Sequence, residues 1–273
     1  MPGKKHIKLA LLAVLSLILG FFWEHSYMIP FKILVVYLHE ISHALGAVFS
    51  GGEVNIINID LNESGFTQTV GGNFLAIAGS GYLGSILFGS LMLHSGLSGK
   101  YVRPVSWCIG ATIIIFTLVV PEKIPTLALT AGLGWGGALI LTVSLFHHLN
   151  RIILFIMGGL TSLYALYDLL DFFRGDIFST DAGLIALHYV TSPSMQTTFA
   201  YMIAIFITIL SVWIQYRIVM HAVAHSDIVE PEPEIEPEAV SPEFDPTQVP
   251  PELMLQMAEM MAKMQSGDMN NER

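Results

Sequence analysis

The chain has 273 residues, a formal net charge of −10 at neutral pH, 53% hydrophobic residues and only 12% charged ones. Soluble globular chains carry about 25% charged residues, so this composition excludes an ordinary water-soluble domain. The charge is also confined: Asp227 to Arg273 holds twelve acids and two bases, and the preceding residues hold ten of each, which excludes a surface built to attract nucleic acid.

In chain order, apolar stretches nearly free of charge occur at 7–23, 28–49, 73–94, 105–120, 126–146, 152–170 and 198–220. A helix that crosses a bilayer needs about 20 such residues. The pattern therefore predicts an all-α membrane protein, a polytopic bundle of six to eight transmembrane helices, with 105–120 short and 177–192 ambiguous. Lys4, Lys5 and Lys8 precede the first stretch, and Phe21, Phe22 and Trp23 follow it where a cleavage site would have small residues. That reads as an uncleaved first span with a cytoplasmic N-terminus.

The second stretch carries His39-Glu40-Ile41-Ser42-His43. On a helix, residues four apart lie one above the other, so both imidazoles can reach one metal ion. Glu40 then stands close enough to take a proton from a water at that ion. Three ionisable groups within one turn of a membrane helix are costly and usually face a functional interior. A pair of neutral, hydrogen-bonded histidines would account for His39 or His43 but not for Glu40 between them.

Between Gly51 and Gly72 the chain turns polar. Val54, Ile56 and Ile59, then Phe66, Thr67 and Thr69, predict two short strands around Asn62-Glu63-Ser64-Gly65, a β-hairpin after the second span. The third span contains Gly79-Ser80-Gly81-Tyr82-Leu83-Gly84, a literal dinucleotide-binding pattern, but one buried in an apolar run with no preceding strand. Gly81, Ser85 and Gly89 at four-residue spacing read instead as a helix-packing stripe, as do Gly132, Gly134, Gly136 and Gly137.

A catalytic zinc has three protein ligands and an open position. The single cysteine, Cys108, excludes both a disulfide framework and a cysteine-based zinc site, so the third ligand is sought among Asp168, Asp171, His94, His147, His148 and His188. Asp168 and Asp171 share a helix face near the end of the sixth span. Asp168 lies deeper and has the greater need of a dication. It is the leading candidate, with Asp171 in a supporting role or as the alternative ligand. Beyond His225 the chain becomes Pro- and Glu-rich and predicts a disordered tail over 226–273, distinct from a membrane domain at 1–225. A short helix starting near Pro250 would align Met254, Met257, Met260, Met261 and Met264. That stripe is a candidate docking face for a protein partner or the membrane surface, with a copper-binding methionine cluster as the lesser alternative.

The stretch His39-Glu40-Ile41-Ser42-His43-Ala44-Leu45-Gly46-Ala47, followed by a Gly-Gly turn and short strands, resembles the site-2 protease family. So does Tyr164-Ala165-Leu166-Tyr167-Asp168-Leu169-Leu170-Asp171, which is similar to a segment of a compact branch without a PDZ domain. The resemblance covers roughly residues 30–190. It implies a zinc-dependent intramembrane metalloprotease with His39 and His43 as zinc ligands, Glu40 as catalytic base and an aspartate from a later span as third ligand. The family's Asn-Pro stretch leading to Leu-Asp-Gly is absent, since Leu170-Asp171 is followed by Phe172. The implied cofactor is Zn2+. The implied partners are a membrane protein substrate and the lipid bilayer, and the expected location is a bacterial cell membrane, with an organellar one as alternative. Two other functions compete: a catalytically inactive relative that acts as a binding scaffold, and a transporter using Glu40, Asp168 and Asp171 as an ion path. No internal repeat supports the transporter.

Overall fold

The computed structural model describes residues 22, 25–61, 64–119, 125–162, 164, 177–225 and, near the C-terminus, 250–252, 255–256 and 258–259. The chain divides into two compact units, Met1–Ile228 and Val229–Arg273. In the second unit Pro251, Glu252, Leu255, Gln256, Ala258 and Glu259 are helical. Apart from Phe22, the apolar run at 7–23 lies outside the described residues, as does most of the tail.

The first unit is a helical bundle with one hairpin. Among the described residues it contains α1 (Ile29–Phe49), β1 (Gly52–Ile59), β2 (Gly65–Gly71), α2 (Phe74–Ser98), α3 (Val102–Val119), α4 (Thr126–Leu145), α5 (His147–Ser162), α6 (Asp181–Tyr189) and α7 (Pro193–His225). Five of these seven helices are long and apolar enough to cross a membrane: α1 with the 3-10 turn before it, α2, α3, α4 and α7. The expected helical membrane bundle with a hairpin is the observed architecture, and the protein is an integral membrane protein.

α1 is the centre of the bundle. Pro30 sits in its first turn, where a missing N–H costs nothing. Leu34, Val35, Leu38, Ile41 and Ala44 are completely buried, so α1 is enclosed on nearly all sides, as a helix apolar all round must be. It can therefore carry polar chemistry shielded from lipid and bulk water. α2 runs against it through small residues: a Cβ on Gly84 would strike the Ser42 side chain. The literal dinucleotide pattern is thus helix-packing surface, and the Gly81–Ser85–Gly89 stripe faces other helices. On α4 only Gly132 and Gly136 of the four glycines meet a neighbour; Gly134 and Gly137 face open space.

Hydrogen bonds hold the other helices in place where apolar contact alone would let them slide. Asn150 on α5 is fully buried. It accepts from Ser106 on α3 and donates to the Leu139 carbonyl and to Thr142 on α4. Tyr37 on α1 bonds Thr117 on α3, and the Trp135 indole donates to the Pro30 carbonyl. Arg151 donates to the Gly96 and Leu97 carbonyls at the last turn of α2, where a cation is favoured.

The hairpin pairs β1 and β2 antiparallel from Gly52↔Gly71 to Ile59↔Gly65, with a bulge between Val54 and Ile56. The bulge explains the burial pattern. Val54, Ile57 and Ile59 face inward, an offset of three followed by two, because one extra residue resets the two-residue alternation. On β2, Gly65, Thr67 and Thr69 are the half-buried positions and alternate with exposed ones, so one strand face is turned inward.

Candidate metal centre

His39 and His43 lie on successive turns of α1, with ring centroids 4.7 Å apart. Their Nε2 atoms face each other at 3.1 Å. Asp181, the first residue of α6, places Oδ2 3.0 Å from the His39 Nε2 and 3.2 Å from the His43 Nε2. Three potential ligand atoms from two helices thus form a nearly equilateral triangle, the one such group of three among the described residues.

The outward nitrogen of His43 fixes the tautomer of that ring. His43 Nδ1 is 2.7 Å from the Ile77 carbonyl oxygen. A carbonyl can only accept, so Nδ1 carries the hydrogen and a neutral ring leaves its lone pair on Nε2. His39 Nδ1 lies 3.2 Å from Ser85 Oγ, which can play the same part. Both partners belong to α2, and such outer hydrogen bonds are those metal-ligating histidines make.

Asp181 is delivered by a short capped helix. Thr180 is its N-cap and accepts a hydrogen bond from the Gly183 N–H. The Ala182 N–H approaches the Tyr82 hydroxyl at 3.4 Å, and Ile177, Ala182 and Ala186 pack with Tyr82 of α2 and with Ala200 and Ala204 of α7. Burial acts to raise the Asp181 pKa, but when His43 and His39 are protonated their charge and hydrogen bonds outweigh it and hold the carboxyl below its ordinary range.

The triangle fits a zinc ion. Ligand atoms about 2.0–2.1 Å from a tetrahedral zinc are separated by about 3.3 Å, close to the three separations observed. Oδ2 of Asp181 is buried and receives no well-formed hydrogen bond, although two nitrogens lie in contact with it. Lone pairs converging from three atoms repel unless a cation or proton lies among them. Two neutral imidazoles and a carboxylate are also a donor set zinc accepts.

Glu40 is almost fully buried and meets the hairpin: Thr67 Oγ1 lies 2.7 Å from its Oε2 and 2.9 Å from its main-chain oxygen. Its carboxylate interacts electrostatically with His39, His43 and Asp181. The Tyr164 ring lies 4.6 Å from the His39 ring and closes another side.

The histidine pair and glutamate singled out by sequence therefore share one enclosed site. Asp168 and Asp171 lie outside the described residues. The other candidate histidines stand elsewhere: His188 stacks on Phe74, His94 lies beside His221, and His147 and His148 are exposed at the start of α5. Asp181 was missed. The available signal was a lone acid after a helix-capping threonine inside the apolar segment 177–192, the same anomaly that singles out Glu40.

A polytopic membrane bundle thus brings two histidines and an aspartate around one point, beside a buried glutamate, in a group that could hold a metal ion. The family model of Peptidase M50B-like proteins matches residues 12–186, more than half of the chain, and the chain belongs to that family, the site-2 proteases. No curated protein and no solved structure matches it.

Proposed function

We propose that the protein is a zinc metalloprotease that cleaves peptide bonds of membrane-embedded protein substrates. The convergence of His39 Nε2, His43 Nε2 and Asp181 Oδ2 within 3.0–3.2 Å of one another carries this reading. In it, these three atoms hold Zn2+, and Asp181 takes the place that sequence reasoning gave to Asp168. Charge balance supports the assignment. Asp181 and Glu40 put two carboxyl groups into an apolar interior, where an unpaired carboxylate costs several kcal/mol, and a dication between them would offset the charge they carry when ionised.

When bound there, zinc supplies a Lewis acid that lowers the pKa of a water to about 7 and polarises the peptide carbonyl. The protein's own residues do the rest. His43 and His39 are held with Nε2 inward by Ile77 and Ser85. Glu40 takes a proton from the attacking water and gives it to the leaving amine as the carbon–nitrogen bond breaks. The packed helices around α1 limit the entry of other water. A helical peptide bond is shielded by its own hydrogen bonds, so the substrate must present an extended segment. The two-stranded hairpin beside Glu40 offers a sheet edge for it to pair with.

The test is cleavage by purified protein in detergent, wild type beside Glu40→Gln, with zinc measured in both. The variant keeps the side-chain shape and loses the base, so zinc stays bound while cleavage stops. A wild-type chain that binds zinc and cleaves nothing would instead fit a binding scaffold.

A further inference from the structure

We propose that Thr67 is a positioning residue for Glu40, through which the hairpin controls the base; this rests on the protease reading above. Thr67 lies in the middle of β2 on its inner face, paired in register with the buried Ile57 of β1. Its hydroxyl reaches both the Oε2 and the main-chain oxygen of Glu40, at 2.7 and 2.9 Å. Two residues earlier on the same face, Gly65 brings the strand backbone against the same side chain: a Cβ there would lie 2.8 Å from Glu40 Oε1 and 2.9 Å from a Val36 methyl. β2 therefore touches both carboxylate oxygens, one by a hydrogen bond and one by close packing.

A hydroxyl has one proton and serves one acceptor at a time. Beside the carboxylate, Thr67 donates to Oε2. In the proposed reaction Glu40 also passes through its carboxylic acid form, which can donate to Thr67 Oγ1 while the hydroxyl proton turns to the Glu40 carbonyl. Both forms are thus satisfied without a change of rotamer. Threonine suits the task because branching at Cβ stiffens its side chain, and a strand fixes which face it presents. A substrate strand pairing with the hairpin would act on the base through this contact.

The test compares Thr67→Val, which keeps the shape and removes the hydroxyl, with Thr67→Ser, which keeps the hydroxyl. Activity is read on fluorescently labelled casein, an unfolded chain with extended segments, and zinc content is measured for each protein. Loss of a hydrogen bond to a charged group predicts roughly a ten- to hundredfold fall in kcat for Thr67→Val, with KM and zinc content at wild-type values. Thr67→Ser should restore kcat. Thr67→Ala takes the place of valine if Thr67→Val does not fold. A second readout needs no turnover: the Glu40 carboxylate band, isolated by infrared difference against Glu40→Gln, should shift in Thr67→Val and not in Thr67→Ser. Wild-type kcat in Thr67→Val, equal losses in valine and serine variants, or an unshifted band would overturn the proposal. A wild-type chain that cleaves nothing would overturn the protease reading itself, and cleavage by Glu40→Gln would overturn Glu40 as the base, whereas an inactive Glu40→Gln beside a fully active Thr67→Val removes only the role of Thr67.

Discussion

Gly81 on α2 stands where any side chain would strike His43: a Cβ there would lie 2.4 Å from the ring's Cε1 and 2.7 Å from Asp181 Oδ2. The missing side chain lets α2 approach closely enough for Ile77 and Ser85 to reach the two histidines. Gly81→Ala should therefore overpack the site, at roughly 1–3 kcal/mol, and displace one ligand. Gly79 faces open space, so Gly79→Ala is the matched control. Zinc content and thermal unfolding of the two variants check this. Equal behaviour would mean that α2 does not set the ligand geometry.

Asp181 is the proposed third ligand, and Asp168 is the residue that depth in the sequence pattern favours. Asp181→Ala should lower zinc affinity by more than the roughly 10- to 100-fold that follows loss of an outer hydrogen-bond partner, while Asp168→Ala leaves the metal in place. Chelator competition measures both. Zinc loss in Asp168→Ala with retention in Asp181→Ala would restore the sequence-based assignment.

Ser85 meets His39 at Nδ1, the ring nitrogen that is not part of the triangle. Ser85→Ala removes the partner of His39 Nδ1, and the expected loss of zinc affinity is about 10- to 100-fold. Unchanged affinity in the same competition assay would show that packing alone orients His39.

Val54 and Ile56 lie in β1, on either side of its bulge. Proline at both positions removes two N–H donors and disrupts the strand. Cleavage should stop while zinc content stays at the wild-type level, because no ligand comes from the hairpin. Undiminished cleavage would remove the hairpin from substrate binding.

Much of this architecture was legible in the residue pattern for simple reasons. Long uncharged stretches announce spans because lipid tolerates little else, and the four-residue spacing of His39 and His43 follows directly from the helical repeat. The stripe Gly81–Ser85 was legible as packing, but its second role, bringing Ser85 and Ile77 to the imidazoles, depends on how α2 crosses α1, which spacing does not encode. The adjacent Ile56 and Ile57 break the apolar alternation of β1, but that break alone does not say where the pairing with β2 slips, which is the bulge between Val54 and Ile56. Asp181 stood out only as a lone acid in an apolar segment, and its place at the site was hidden for a different reason. Its helix spans only Asp181–Tyr189, too short to register as a span, and the long separation from His43 is closed by tertiary packing on Tyr82 and α7.

Whether His39, His43 and Asp181 hold zinc is decided by the zinc content of the purified chain, wild type beside the double variant His39→Ala, His43→Ala, after equilibration with zinc and removal of the free ion. One zinc per wild-type chain is expected and none in the double variant, with both proteins folded. Equal zinc in the two proteins, or a folded wild-type chain that retains none, would contradict it.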